Sequence, residues 1–459
     1  MGSLHPNSVS RDDLHNVGDE EIPNKNPSDA GALFVLKSKG SWLHCGYHLT
    51  TAIVAPPVLS IPYAIASLGW IGGVVFLTVA AMVTFYSYNL VSLVLEHHAQ
   101  KGNRFLRFRD MADHILGPGW GKYLVGPIQF LLCYGCVVAC VLLGGQCMQT
   151  IYLLSTPNGS MKLYEFVIIL GVFTLVLAQI PSFHSLRHIN LLSLILCLTY
   201  SICTTAASVY IGYSNKAPLK DYSVQGNTEN RVFNAFNAIA LIATEYGIGI
   251  LPEVQATIAP PVKGKMFKGL CVCFAVVLTA YFSVAISGYW AFGNQAASIL
   301  LTNFYNNGEP LVPKWFLFMI NGLTFIQVTA VGLVYCQPTN ELLESTFADT
   351  KKAEFSIRNV MPRLIFRSLF VAVATLNAAM LPFFGDINSV IGAFGFIPLD
   401  FILPAIFFNL TFRPTKLSPI FWVNTFIATL FTIVAVISAV AAVRQIGLDA
   451  STYRLFANV

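Results

Sequence analysis

Apolar runs long enough to cross a bilayer recur eleven times, near residues 44–69, 71–96, 123–152, 163–181, 189–213, 233–259, 269–292, 314–342, 364–383, 387–410 and 418–443. One helical crossing needs about 20 consecutive apolar residues. The pattern predicts an all-α membrane protein with eleven transmembrane helices. Residues 1–43 are polar, carry no apolar core of a signal peptide, and read as a disordered tail. The first span is then an internal anchor, and residues 444–459 form a second tail.

Two of the runs are interrupted. In "HLTTAIVAPPVLSIPYAIASLGW", Pro56 and Pro57 have no N–H, so the carbonyls of Ala52 and Ile53 lose their helical partners; Pro62 does the same to Val58. In "LIATEYGIGILPEVQAT", Gly247 and Gly249 permit non-helical backbone, and Pro252 suits the first turn of a restarted helix. "VLSIP" (58–62) and "IGILP" (248–252) echo one another, in the first and sixth spans. Spans one to five (44–213) and six to ten (233–410) then form two five-helix halves of opposite orientation, with the eleventh helix (418–443) outside the repeat. Interrupted helices at matching places point to a secondary transporter with a site near the midplane. The structural alternative is a pair of proline kinks that only shape packing.

The breaks name the candidate binding groups. A helix that stops exposes carbonyls, which attract cations, and one that starts exposes N–H groups, which attract anions. At the first break these fall at Val54, Ala55, Val58, Leu59 and Ser60; at the second, at Glu245, Tyr246, Gly247, Ile248 and Gly249. A zwitterionic amino acid carries both complementary charges.

Composition agrees with a bilayer protein: 55% of residues are hydrophobic, 11% are charged and the mean hydropathy is +0.64, against about a quarter charged in soluble domains. The net charge of +5 is informative by location. With the N-terminus in the cytosol, 20 of the 27 lysines and arginines lie on the inner side, as the positive-inside rule requires, and eleven spans then place the C-terminus outside. The sequon at Asn158 falls outside and the one at Asn409 inside. Basic clusters such as "KGNRFLRFRD" are orientation signals, and no nucleic-acid partner is expected.

No lysine or arginine lies deep in a span; Glu245, Glu253 and Asp400 are the acids at depth. An ionised side chain there costs about 2.5–3.5 kcal/mol on insertion scales, and protonation removes most of the cost of a carboxylate. Glu245 is therefore the first candidate for proton coupling, with Glu253 as a relay or polar anchor and His48 as a titrating neighbour. His44 and His48, four apart, read as an interfacial helix start before a metal pair. Asn321, Gln327 and Thr329 in span eight line the cavity or bond neighbouring helices. Of the ten cysteines, nine fall within spans and none has partners at zinc spacing, so no metal or cofactor is expected. No nucleophile–base set marks an enzyme.

The segments "HLTTAIVAPPVLSIPYA", "RFRDMA", "LLGGQC", "PSFHSLRHIN", "ILPEVQATIAPPVKGKM", "SGYWAFG", "MLPFFGDINSVIGAFGFIPLDFILP" and "FRPTK" together resemble the plant amino acid/auxin permease family, most closely its probable GABA transporter branch. The resemblance runs from about residue 30 to the C-terminus. It implies a leucine-transporter (LeuT-type) fold with a 5+5 inverted repeat and proton-driven uptake of amino acids such as GABA or proline across the plasma membrane. The chain departs from the family's pattern at Ala55, Pro57, Glu245 and Ile248, all at the two breaks, where substrate choice is decided. Sodium coupling and a non-transporting amino acid sensor are the alternative readings.

Overall fold

A computed structural model describes residues 40–54, 56–156, 159–179, 187–215, 217–259, 262–306 and 309–452; most of the N-terminal tail, Ala55, Asn158 and residues 453–459 lie outside these. The helices are α1 (Trp42–Ile53), α2 (Ile61–Gln100), α3 (Phe108–Leu116), α4 (Gly126–Ser155), α5 (Leu163–Leu177), α6 (Arg187–Tyr213), α7 (Thr228–Tyr246), α8 (Leu251–Ala256), α9 (Lys265–Phe292), α10 (Lys314–Phe347), α11 (Ile357–Met380), α12 (Phe384–Ile391), α13 (Leu403–Phe412) and α14 (Pro419–Thr452). A π-helical stretch, Gly392–Ile402, joins α12 to α13. One short antiparallel pairing, β1 (Tyr305–Asn306) with β2 (Glu309–Pro310), lies between α9 and α10.

Among the described residues, nine helical stretches are long and apolar enough to cross a membrane, and α5 is apolar but shorter. The first stretch, Trp42–Gln100, has 59 residues. At 1.5 Å per residue a straight helix of that length would measure about 88 Å, roughly three times a hydrocarbon core. It is not straight. α1 stops at Ile53, a 3₁₀ turn covers Pro56–Ser60, and Gly69 inside α2 takes φ 73°, ψ 170°, a backbone conformation open to glycine alone.

The ends are set locally. Ser41 caps α1 by accepting from His44 N (3.2 Å), and Asn227 caps α7 by accepting from Asn230 N (2.8 Å). Small residues bring helices close, as expected where lipid offers no hydrophobic drive for association. A methyl added at Gly144 of α4 would meet Leu170 of α5 at 2.2 Å, and one at Gly171 of α5 would meet Thr375 of α11 at 2.3 Å. Large apolar side chains remain exposed around the perimeter, among them Ile71, Val176, Ile202 and Phe426, a surface suited to acyl chains. α14 continues to Thr452, beyond the boundary expected at residue 443.

Candidate functional site

Both breaks form where the prolines and glycines place them, and their backbone groups are satisfied by side chains from distant helices. At the end of α1, Ala52 O accepts from Tyr335 Oη (3.2 Å), Ile53 O from Tyr281 Oη and Val54 O from Gln327 Nε2 (3.2 Å). At the end of α7, Glu245 O also accepts from Tyr281 Oη (2.7 Å), and Tyr246 O from Tyr88 Oη (2.7 Å). The carbonyls expected to be free are capped.

Beyond the second break, Gly249 adopts φ +62°. Ile248 N donates to Asp400 Oδ2 (3.0 Å) and Tyr88 Oη (2.9 Å), and Gly249 N donates to both oxygens of Asp400 (2.9 and 3.1 Å). Gly249 O accepts from Gln129 Nε2 (3.0 Å). Ser60 Oγ reaches across to Ser298 O.

Tyr281 has one hydrogen and two carbonyls within reach, so it serves the two interrupted helices in turn. Tyr281→Phe leaves a buried carbonyl without its donor, a cost of about 1–3 kcal/mol. The expected result is a melting temperature several degrees lower and reduced transport. An unchanged melt and unchanged transport would show that the bridge carries nothing.

A cavity with about 370 Å³ of empty space, its opening included, lies against both breaks. Ala52 and Pro57 face it from the first break, Thr244 from α7, Tyr335 from α10, Asn388 from α12 and Phe396 from the π-helical stretch. None of the residues lining it is charged. The described residues named from the sequence lie beside this cavity's lining set rather than in it: Val54, Val58, Leu59, Ser60, Tyr246, Gly247, Ile248 and Gly249 are buried in the packing around the breaks. Thr244 lines the cavity, while Glu245, one residue on, lies near Tyr200, Tyr246 and Tyr281. Glu245 is 1% exposed, and neither of its oxygens has a hydrogen-bond partner among the described residues.

The other two coupling candidates sit apart. His48 is buried and stacks on His44 with ring centroids 6.2 Å apart. Glu253 accepts from Gln129 Nε2 (2.8 Å) and Phe108 N (3.0 Å). Among the described residues no group of three or more His, Cys, Asp or Glu is arranged to hold a metal ion.

Glu253 belongs to a polar layer at one end of the bundle. There Arg107 and Arg109 pair with Glu341 of α10, and Arg363 and Arg367 of α11 pair with Glu344 at 2.7 and 3.1 Å. Arg104 donates to Ala256 O and Ile258 O (3.2 and 2.9 Å), and burial lowers its guanidinium from its ordinary value. Gly40 N donates to Thr257 O and Ala259 N to Gly40 O, both at 2.8 Å, in a one-residue parallel bridge. Sequence reasoning missed this layer, because Glu341 and Glu344 stand among polar residues at the end of an apolar run; an i, i+3 acid pair there was the available signal.

The family model described as transmembrane amino acid transporter protein matches residues 38–446. GABA transporter 1 of Arabidopsis thaliana is 62% identical over 444 residues, covering 96% of this chain and 98% of that protein. Lysine histidine transporter-like 1 of the same plant is 28% identical, with 90% of each chain covered. Among solved structures, a substrate-bound, outward-open Na+-coupled sialic acid symporter aligns over 94% of both chains at 10% identity and a TM-score of 0.48.

Proposed function

The chain belongs to the amino acid/auxin permease family of transmembrane amino acid transporters, and we propose that it is a proton-coupled symporter importing GABA or another small neutral amino acid by alternating access. It is a transporter and not an enzyme. The inner excess of Lys and Arg supports a cytosolic N-terminus and an outer C-terminus, and the plasma membrane is the placement that the family resemblance implies.

Eleven spans are supported by the turn at Gly69, which divides the 59-residue stretch into an interrupted first crossing and a second, together with the short apolar α5. Breaks at the first and sixth crossings support a 5+5 repeat. Substrate is assigned to the cavity beside the two breaks, with Val54, Ala55, Val58, Leu59 and Ser60 as the candidates from the first. Glu245, Tyr246, Gly247, Ile248 and Gly249 are the candidates from the second, and Thr244, Tyr335 and Asn388 are added by the cavity wall.

The observation that carries the proton reading is the pairing of capped carbonyls with an unpartnered acid. The oxygens of Ala52, Ile53 and Val54, the set a sodium ion would take, already accept from two tyrosines and a glutamine. Neither oxygen of the nearby Glu245 has a hydrogen-bond partner among the described residues. A proton is the smallest charge that satisfies it, and each proton entering with substrate is driven by about 2.3 kcal/mol per 100 mV of membrane potential. Glu253 and His48 extend the candidates toward the inner side.

Current and labelled uptake in oocytes test this, with GABA, proline and a basic amino acid offered at acidic and alkaline external pH. Wild type is expected to give acid-stimulated inward current, and Glu245→Gln to weaken it or lose its pH dependence. No uptake of any amino acid by surface-expressed protein would favour an amino acid sensor instead.

A further inference from the structure

Asp400 lies fully buried within the π-helical stretch Gly392–Ile402. Wide helical turns of this kind are uncommon and recur at functional positions. Its two oxygens gather the backbone N–H groups of Ile248 and Gly249, two of the four residues between α7 and α8, at 2.9–3.1 Å. Tyr88 Oη stands in the same cluster, accepting from Ile248 N and donating to Tyr246 O. One carboxyl group from the tenth apolar run thus holds the interruption of the sixth.

Among the described residues, no basic side chain joins it. Tyr88 comes from α2, Cys136 from α4 and Tyr335 from α10. The packed length of α14, residues 419–443, and the whole of α13 carry no ionisable side chain. On α12 the single acid, Asp386, is engaged with Asp449. On α7, Glu245 lies near the three tyrosines already named. Among the described residues, Asp400 accepts from the two backbone amides, and Tyr88 Oη shares the Ile248 N–H with it.

We propose that Asp400 is a positioning residue of the transport cycle: as a carboxylate it holds Ile248 and Gly249 in the broken conformation, and taking up a proton releases them. This rests on the proton-coupled reading above and adds to it the group that turns protonation into movement. Neither oxygen of Glu245 has a hydrogen-bond partner among the described residues, so a proton arriving there breaks no bond to another element. Asp400 is bonded to the break itself. Hydrogen bonds to an ionised acceptor are about twice as strong as those to a neutral one, so its two protonation states favour two different geometries of the same backbone. That differential is what a ligand needs to shift a conformational equilibrium.

The test compares wild type, Asp400→Asn and Tyr88→Phe at the oocyte surface by labelled GABA uptake across external pH. Asparagine keeps the shape and one acceptor but cannot titrate, so the ratio of acid to alkaline uptake is expected to fall to about one. Tyr88→Phe removes the hydroxyl that shares the Ile248 N–H with Asp400 and leaves the carboxyl able to titrate, so the pH dependence is kept and its midpoint moves. A purely structural role for Asp400 would lower uptake at every pH and leave the ratio at its wild-type value, which overturns the proposal. If Asp400→Asn does not reach the surface, the Tyr88→Phe midpoint decides, and an unmoved midpoint overturns it. Wild-type uptake indifferent to pH would instead sink the proton-coupled reading, and the proposal with it.

Discussion

Gly392→Ala is expected to cut the yield of well-folded transporter sharply. A methyl at this position would come 2.0 Å from Ala240 O and 2.6 Å from Thr244 Oγ1. The first obstacle is backbone, so no rotamer change relieves it, and the π-helical stretch would have to move away from α7. The displacement would also strain the contact in which Thr244 Oγ1 donates to Asn388 O (2.7 Å). Overpacking typically costs about 1–3 kcal/mol and occasionally more; against rigid backbone, the upper end corresponds to more than a hundredfold in the folded ratio. Size-exclusion of detergent-extracted protein should show aggregate at the expense of the monodisperse peak. Gly322→Ala is the control, since nothing lies within 4 Å of its added methyl, and it should elute as wild type does.

Glu344→Ala should be at least as damaging, by a different cause. Glu344 is 3% exposed and stands between Arg363 and Arg367, themselves 7% and 1% exposed. Its removal strands two guanidinium groups in the packing, and breaking a buried pair from one side costs about 3–5 kcal/mol. Thermal denaturation of the purified protein should show a large drop in melting temperature. Glu229→Ala breaks the solvent-facing pair with Arg444 and should shift it little, since exposed pairs contribute about 0–1 kcal/mol. Equal effects from the two substitutions would mean that the inner layer is wetter than its burial indicates.

These two positions illustrate what can be read from a chain of this kind. The spans are legible because a bilayer imposes a length on every apolar run, and the breaks because proline lacks an N–H wherever it stands. What caps a break is not legible. Tyr88, Tyr281, Gln327 and Tyr335 are ordinary residues of apolar runs, and each reaches its carbonyl from another part of the chain. Glu245 and Asp400 both stand out as acids at depth, yet nothing local distinguishes the one without partners from the one bonded to two amides. The expectation of free carbonyls at the first break follows correctly from the prolines. It fails only because the donors come from α9 and α10, whose placement is a property of the whole bundle. Glu341 and Glu344 are hidden for the opposite reason: a charged residue near a helix end looks solvated until the neighbouring arginines are seen to fold over it.

The bridge between Gly40 and the chain after α8 fastens the beginning of one interrupted helix to the end of the other. Its closeness depends on glycine, since a methyl at Gly40 would lie 2.8 Å from Thr257 O. With Arg104 bonded to the same carbonyl edge, α1 and α8 are tied together at that end. Opening that side of the bundle swings both together, or else first tears two backbone hydrogen bonds. A probe on α1 and a probe on α8 should therefore report a single relaxation rate, and a pull applied to the chain ahead of residue 40 would be felt at the second break as directly as at the first.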